Sequence, residues 1–379
     1  MTVWDELVGQ EAAVATLSRA VAGDTHAMSH AWLLTGPPGS GRSNAARAFA
    51  AALQCPTGGC GDCTACRTAL SGAHPDVTLV RTEQLSIGVD EVRSLVRTSA
   101  MSPTLGRWQV IVVEDADRIT ERGGDALLKA VEEPAPKTVW VLCAPTADDV
   151  VVTIRSRCRK VALATPTPAA IAALLERRDG VEPQLAAFAA RVAQGHIGRA
   201  RALARDEGAR NRRHEVLVLP PDLVGLGACL RAAANLVEAT AEEAQAQTAQ
   251  RDAAERAELS EALGVGARGA RPRSAQAALK ELEEQQKARA KRLQRDALDR
   301  VLTELTAYYR DVLTVQLGTG TDLINSEYRS AITGIARRTT PEQTMHRLDA
   351  VLSTRTALET NVAPLLAMEA LMVQLAEKV

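Results

Sequence analysis

Through the first 164 residues, short apolar runs alternate with longer segments in which apolar residues recur every three or four positions. An unbroken apolar run of this kind is typical of a strand that is buried on both faces of a parallel sheet. Such runs predict five strands, at 32–35, 77–80, 108–113, 139–143 and 161–163. The periodic segments predict helices at 44–53, 88–99 and 119–133, and the range 3–22 predicts a short apolar entry followed by a helix. Strands that alternate with helices indicate an α/β domain.

The pattern changes near Thr165, where the strand signals stop and alanine-rich helical periodicity takes over. Pro166 and Pro168 mark this boundary, and Pro220 with Pro221 marks a second one, because proline interrupts regular structure. We therefore predict three domains. They are an α/β domain at 1–164, a small all-α domain at 165–215 and a larger all-α domain at 216–379.

A strongly charged segment is inserted in the third predicted domain at about 238–295. Its first half is mostly acidic, its second half is mostly basic, and residues 264–272 between them are rich in Gly, Arg and Pro. Two polar helices of opposite charge, joined by a loop, predict an antiparallel helical hairpin. The alternative is a solvated, partly disordered insertion.

Composition disfavours several classes of protein. The chain of 379 residues is 46% apolar, which allows a large core, and its net charge of −1 is not that of a general nucleic-acid binder. Aromatic residues make up 2% of the chain, which disfavours binding of single strands by base stacking. No basic-then-apolar leader and no apolar run of ~18 residues is present, so we expect a cytoplasmic protein without a membrane span.

A glycine-rich turn separates the strand at 32–35 from the helix at 44–53. It matches the phosphate-binding pattern G-x-x-x-x-G-K-[ST] except that arginine stands at the lysine position. Glycines let backbone N–H groups point towards a phosphate, and the helix N-terminus adds partial positive charge. Arginine is planar and bulkier than lysine, so the turn indicates nucleotide-binding ancestry while its arginine argues against catalysis. The candidate nucleotide-binding residues are Gly36, Gly39, Gly41, Arg42 and Ser43.

Two acids, Glu114 and Asp115, follow the predicted strand at 108–113. In ATPases, the first acid after such a Walker-B strand helps to hold Mg²⁺ and the second orients the attacking water. The usual order is Asp then Glu, so each carboxylate here differs by one methylene from the length that its role requires. Both are candidate nucleotide-site residues, and the alternative is a solvated loop at the end of a strand.

Four cysteines form a cluster after the helix at 44–53: Cys55, Cys60, Cys63 and Cys66. Their C-x₂-C spacings and intervening glycines predict a tetrahedral Zn²⁺ site, and four thiolate ligands leave no position open for water. We therefore predict a structural zinc module at 55–66, as expected in a reducing cytosol. The alternative is a set of free or redox-active thiols.

The segment Ser156-Arg157-Cys158 lies between the last two predicted strands. An arginine held there on a short rigid segment could reach a γ-phosphate bound by a neighbouring subunit, which is the role of an arginine finger in trans. On these residues alone, a surface salt bridge of Arg157 is an equally good interpretation.

Taken together, several motifs resemble those of bacterial clamp-loader AAA+ subunits, over about Val3 to Ala202. Besides the glycine loop and the cysteine cluster, they are the segments 4–10, 30–34, 126–134 and 156–158. The resemblance implies an α/β AAA+ nucleotide-fold domain with an inserted zinc module, followed by an all-α lid and an all-α collar domain. It also implies a place in the DNA polymerase III holoenzyme, in association with the replisome and the nucleoid.

Within this family the chain is most similar to the delta-prime type of subunit. Motor subunits of the gamma/tau type are expected to have a lysine at position 42 and an Asp-Glu pair at 114–115. They also carry a sensor arginine in a Gly-x-x-Arg motif, whereas the lid here reads Gly195-His196-Ile197-Gly198-Arg199, with arginine one place late. These departures imply lost or weakened ATP turnover. The resemblance implies a stator that donates Arg157 to the adjacent motor subunit.

The resemblance also implies partners and cofactors. The partners are the gamma/tau and delta subunits in a hetero-pentamer, the sliding clamp and primer-template DNA. The cofactors are Zn²⁺ in the cysteine cluster and, left open by the sequence, ATP or ADP in the glycine loop. Two alternatives remain at this point: an active ATPase motor of the gamma/tau type, and a zinc-stabilised DNA-binding module that acts alone.

Overall fold

The computed structural model describes residues 2–23, 27–82, 84–263, 273–360 and 362–376. The chain forms two compact units, which divide between Arg205 and Asp206. The first unit contains a sheet with its flanking helices, and the second contains helices throughout its described residues. No helix among the described residues combines the length and the apolar character that a membrane span requires.

The sheet of the first unit has five parallel strands in the order β2-β3-β4-β1-β5. The strands are β1 Ala31–Thr35, β2 Val77–Val80, β3 Gln109–Val113, β4 Thr138–Ala144 and β5 Arg159–Ala162. Every residue of β3 and β4 is buried, which explains their unbroken apolar runs. The parallel α/β domain predicted from the sequence is confirmed, although β5 begins two residues earlier than expected.

Helices cover both faces of this sheet. They are α1 Glu11–Val21, α2 Arg42–Gln54, α3 Thr64–Ser71, α4 Val89–Ser99, α5 Glu121–Glu132 and α6 Val152–Arg155. Three further helices of the first unit pack mainly against one another: α7 Pro168–Asp179, α8 Pro183–Val192 and α9 Ile197–Arg205. One core contains side chains of α1, α2 and α3, and the other contains side chains of α4, α5 and α6. Small alanines let α2 pack closely on β1, where the rings of Phe49 and Trp32 meet edge to face at 5.1 Å.

The strand register brings the candidate nucleotide-site residues to one edge of the sheet. Thr35 at the end of β1 is paired with Ala144 at the end of β4, and Val113 at the end of β3 lies beside Leu142 of β4. The glycine loop starts directly after Thr35, and Glu114 directly after Val113. In open parallel sheets, ligands bind outside the carboxyl ends of the strands, which is where both segments lie.

The helices of the second unit enclose a third core. They are α10 Glu207–Leu217, α11 Leu219–Asp222, α12 Leu226–Ala262, α13 Arg273–Leu317, α14 Arg329–Arg338, α15 Pro341–Glu359 and α16 Pro364–Leu375. The core contains the fully buried Tyr308 and Tyr309 together with aliphatic side chains from α12, α13, α15 and α16. The sequence predicted helices here, and the described residues agree.

Helix α10 is held in the second unit by a buried arginine. Arg213 donates to Asn325 at 2.5 Å and Glu327 at 2.7 Å, and lies 3.3 Å from Glu304. Its side chain is 5% exposed, so these partners balance a charge that burial would otherwise penalise. The sequence placed the domain boundary at 215/216, whereas this contact set associates α10 with the helices that follow it.

Helices α12 and α13 run antiparallel over the charged segment. Ion pairs join Arg300 to Glu243, Arg289 to Asp252 and Glu255, and Arg256 to Glu283. Partner numbers rise along one helix as they fall along the other, which is the arrangement of the predicted hairpin. Both helices extend beyond 238–295 into the core of the second unit. The predicted loop at 264–272 lies outside the described residues.

Candidate functional site

The four clustered cysteines bring their sulfur atoms together between the end of α2 and the start of α3. All four Sγ atoms lie within 4.8 Å of one another. The Sγ of Cys55 is 3.7 Å from that of Cys60 and 3.8 Å from that of Cys63. A tetrahedral zinc site with Zn–S bonds of about 2.3 Å requires sulfur atoms about 3.8 Å apart, whereas a disulfide requires about 2.05 Å. The spacing therefore fits a shared metal ion.

Tight turns in the backbone create this spacing. Gly58, Gly59 and Gly61 have φ values of 78°, 115° and 83°, a region in which side chains are strained. A Cβ atom at Gly59 would also lie 2.8 Å from the side chain of Val3. The carbonyl of Gly59 accepts a hydrogen bond from the N–H of Val3 at 3.1 Å, so the turns also join the start of the chain to the cluster.

Hydrogen bonds favour the thiolate form of two cysteines. Burial opposes ionisation of Cys55, but donors from Thr57 and from the backbone at 57–60 outweigh it and lower the thiol pKa to about 5. Backbone donors of Cys63 and Asp62 lower the pKa of Cys60 as well. Burial raises the pKa of Cys66, and a bound cation would offset that penalty. This cluster can hold a metal ion such as zinc.

The glycine loop at the other end of α2 has the backbone of a phosphate-binding turn. Gly39 and Gly41 have φ values of 81° and 95°, and Gly41 immediately precedes the first residue of α2. A Cβ atom at Gly39 would lie 2.1 Å from His196, and the N–H of Ile197 donates to the Gly39 carbonyl at 3.2 Å. The segment before α9 thus packs directly on the loop.

The arginine of the glycine loop is bonded to the loop itself. Arg42 Nη1 donates to the carbonyl oxygen of Gly36 at 2.6 Å, and burial lowers the guanidinium pKa. The guanidinium therefore contacts the backbone of its own loop, whereas a lysine at this position would contact a bound phosphate. The adjoining cavity has a volume of about 220 Å³, below the ~300–1,000 Å³ of typical ligand sites. Its lining residues are Gly39, Gly41, Arg42, Ser43, Asn44, Ile197, Gly198 and Arg201.

The first acid after β3 is engaged in an ion pair. Arg47, on the second turn of α2, places Nε at 2.8 Å and Nη2 at 2.7 Å from Glu114 Oε1. The Glu114 side chain is 6% exposed, so the arginine neutralises a charge in a poorly hydrated place. Asp115 follows and acts electrostatically on Arg42. Position 114 therefore holds a carboxylate that is already paired within the chain.

Arg157 lies at the end of the short segment that begins with α6. Its Nη1 donates to the Thr153 carbonyl at 2.7 Å and to Ser156 Oγ at 3.1 Å, and its Nη2 lies 2.5 Å from Glu132 Oε1. The side chain is 40% exposed. In this chain, then, Arg157 forms the surface salt bridge that the sequence offered as an alternative interpretation, and it keeps access to solvent.

Three residues at these sites were assigned no role from the sequence. Arg47 is the partner of Glu114, Glu132 is the partner of Arg157, and His196 contacts Gly39. Each contact joins segments that are distant in sequence, so local patterns carry little information about it. A weak signal exists for Arg47 alone, as a charged residue in an otherwise alanine-rich buried helix.

Comparison with known families and proteins adds to this geometry. Residues 9–167 match a family described as "DNA polymerase III, delta subunit". The chain is 38% identical to DNA polymerase III subunit delta' of Pseudomonas aeruginosa over 151 residues, which are 38% of this chain and 45% of the relative. Over this region the chain is delta-prime-like.

Other relatives include both types of subunit. The delta' subunit of Bacillus subtilis is 30% identical over 195 residues, 51% of this chain and 59% of the relative. The gamma/tau subunit of Mycobacterium bovis is 35% identical over 177 residues, 45% of this chain and 30% of the relative. The chain spans about half the length of the delta-prime relatives that it matches. The family match at 9–167 lies within the first unit, which holds the glycine loop and the cysteine cluster.

Proposed function

We propose that this chain is the delta-prime stator subunit of a DNA polymerase III clamp loader. In this role it helps to load the sliding clamp onto primed DNA and supplies Arg157 to a neighbouring ATPase subunit. The observation that carries the proposal is that the side chains at the two catalytic positions, 42 and 114, are bonded within the chain. Arg42 is bonded to Gly36 and Glu114 is paired with Arg47.

Loss of ATP turnover follows from these two contacts. A lysine at position 42 would place a compact charge on the β- and γ-phosphates, but the guanidinium here donates to its own loop. The acid at 114 would help to hold Mg²⁺, but its charge is already balanced by Arg47. Gly198, at the place where the resemblance predicts a sensor arginine, lines the small cavity beside the loop. ATP or ADP bound in this loop would therefore lack the lysine, the free acid and the sensor arginine that hydrolysis requires.

The arginine-finger role of Arg157 is supported by its exposure to solvent and by the buried helical turn that precedes it. The side chain is 40% exposed, and Arg157 lies two residues beyond α6, whose Ile154 is buried in the core. Charge supplied in this way to a transferring phosphoryl group contributes about 10³–10⁵-fold to turnover in well-studied systems. A stator with an inert loop and an exposed arginine would act on its neighbour's nucleotide.

We infer that the cysteine cluster holds one structural Zn²⁺. Cys55, Cys60, Cys63 and Cys66 supply four sulfur ligands, which complete a tetrahedral site and leave no position for a reacting water. The ion would fasten α2, α3 and the start of the chain to one another. It would act on stability and take no part in the chemistry of clamp loading.

The proposed partners follow from the subunit type. They are the gamma/tau and delta subunits in a hetero-pentamer, with the helices of the second unit in a collar, the sliding clamp and primer-template DNA. Contacts with DNA would go to backbone phosphates without base readout. The competing candidate is an active motor of the gamma/tau type, which the similarity to the Mycobacterium bovis subunit favours.

The proposal is tested in a complex reconstituted with its partner subunits. Arg157→Ala should lower steady-state ATPase activity and clamp loading, because one site loses the charge that stabilises its transition state. Arg155→Ala is the matched control, since Arg155 lies two residues away and is paired with Asp148. Hydrolysis of ATP by the isolated chain, with no effect of Arg157→Ala in the complex, would establish the motor and overturn the stator.

A further inference from the structure

The guanidinium of Arg157 has five N–H donors, and several of its contacts lie within the chain. Its Nη1 donates to the Thr153 carbonyl and to Ser156 Oγ, and its Nη2 forms an ion pair with Glu132 Oε1 at 2.5 Å. Within the described part of the chain, its Nε–H donates to no other group. A rigid planar group therefore keeps this donor for an anion outside the chain.

Glu132 is an unfavourable residue for its position unless it serves Arg157. It is the last residue of α5, where the carbonyl groups carry the negative end of the helix dipole. A carboxylate there is repelled by the dipole, and Lys129 is the basic residue of this last turn. Arg157 supplies the compensating charge at 2.5 Å. The pair joins the end of α5 to the segment that follows α6.

We propose that Glu132 is a positioning residue for Arg157. It fixes the guanidinium together with the Thr153 carbonyl and Ser156 Oγ, so that the remaining Nε–H can donate to a phosphate without a search through rotamers. This inference rests on the proposed finger role of Arg157. A side chain as long as arginine loses much conformational entropy when it is ordered. The three contacts order it in advance, so the partner's nucleotide binds to an arginine that is already in place.

The position offers clean variants. The pair is about 40% exposed on both sides, so its loss should disturb folding little. Glu132→Gln keeps an acceptor oxygen at the same reach, whereas Glu132→Ala removes it and Glu132→Asp withdraws it by one methylene. Glu133→Ala is the matched control, since Glu133 is the adjacent exposed carboxylate.

The experiment measures kcat and KM for ATP in the reconstituted complex, with assembly checked by size-exclusion chromatography. Glu132→Ala should lower turnover at the site that Arg157 serves by up to about 100-fold, the loss that a misplacement of about 1 Å can cause, with KM for ATP unchanged. Glu132→Gln should recover most of this loss, Glu132→Asp should be intermediate, and Glu133→Ala should match the wild type. Glu132→Ala should add nothing to Arg157→Ala, because it acts through that residue.

The outcomes separate this inference from the function on which it rests. If Arg157→Ala leaves turnover unchanged, the finger role itself fails. If Arg157→Ala lowers turnover while Glu132→Ala matches the wild type, or lowers it further in the Arg157→Ala background, the positioning role alone is overturned. Should Glu132→Ala fail to assemble, Glu132→Asp decides, since wild-type turnover in that variant contradicts the proposal.

Discussion

Helix α2 carries a candidate site at each end, and the two ends differ in how much of their chemistry is intact. At the amino end, the glycine loop has the backbone of a phosphate cradle, but Arg42 is bonded to Gly36. At the carboxyl end, the cysteine cluster retains four sulfur atoms that lie within 4.8 Å of one another. One helix therefore joins an altered catalytic loop to a complete set of metal ligands.

The difference is the one that the proposed stator role would produce. A backbone cradle shapes the end of β1 and the start of α2 whether or not it binds a nucleotide, so its glycines remain useful for the fold. The side chains that act on ATP have no such second role and can become internal contacts, as Glu114 has with Arg47. The cysteines would hold the fold together through the proposed metal ion, so the loss of one should destabilise every molecule.

The largest expected effect is at the cysteine end. Cys60→Ala should abolish zinc binding and lower the free energy of unfolding of the first unit by about 3 kcal/mol or more, because metal binding and local folding are coupled. Zinc is measured by elemental analysis. Unfolding in urea is followed by tryptophan fluorescence, since Trp4, Trp32, Trp108 and Trp140 all lie in the first unit.

Cys158→Ala is the control for this prediction, because Cys158 is a buried thiol of the same unit outside the cluster. It should retain one zinc ion per chain. If wild-type protein purified without chelators contains no zinc, the cysteine cluster is not a zinc site. The contrast between the two ends of α2 would then be lost.

A smaller effect is expected at the amino end, where the ion pair of Glu114 has become structural. Arg47→Ala should lower the free energy of unfolding by about 1–2 kcal/mol, since it leaves a buried carboxylate without its partner; the exposure of Arg47 moderates the penalty. The double variant Arg47→Ala/Glu114→Gln should recover most of the loss. The same fluorescence measurement in urea checks both variants. An unchanged free energy of unfolding in Arg47→Ala would show that this ion pair does not stabilise Glu114.

The sequence predicted what depends on local pattern. The first four strands were found because each contains an apolar run, whereas only the apolar end of β5 was found, since it begins with Arg159 and Lys160. The cysteine spacing predicted a cluster that the structure brings together. The partnership of Arg47 with Glu114 spans 67 residues and depends on how α2 sits against the sheet, so no local pattern contains it. The same holds for α10, which joins the second unit through the buried Arg213.

The smallest effect is expected from the residue that most distinguishes the amino end. Arg42→Ala should leave the ATPase activity of the assembled complex nearly unchanged, because the guanidinium contacts its own loop and no catalytic set surrounds it. Arg42→Lys is the matched variant, since it restores the lysine of the phosphate-binding pattern. The isolated Arg42→Lys chain should still not hydrolyse ATP, because Glu114 remains paired with Arg47.

These two variants decide whether the glycine loop at the amino end of α2 contributes to ATPase activity. Steady-state ATPase assays are made on the isolated chain and on the complex, each with assembly verified. A large loss of activity from Arg42→Ala in the complex would mean that the loop works with arginine in place of lysine. The amino end of α2 would then be as complete as the cysteine end, and the chain would be a motor.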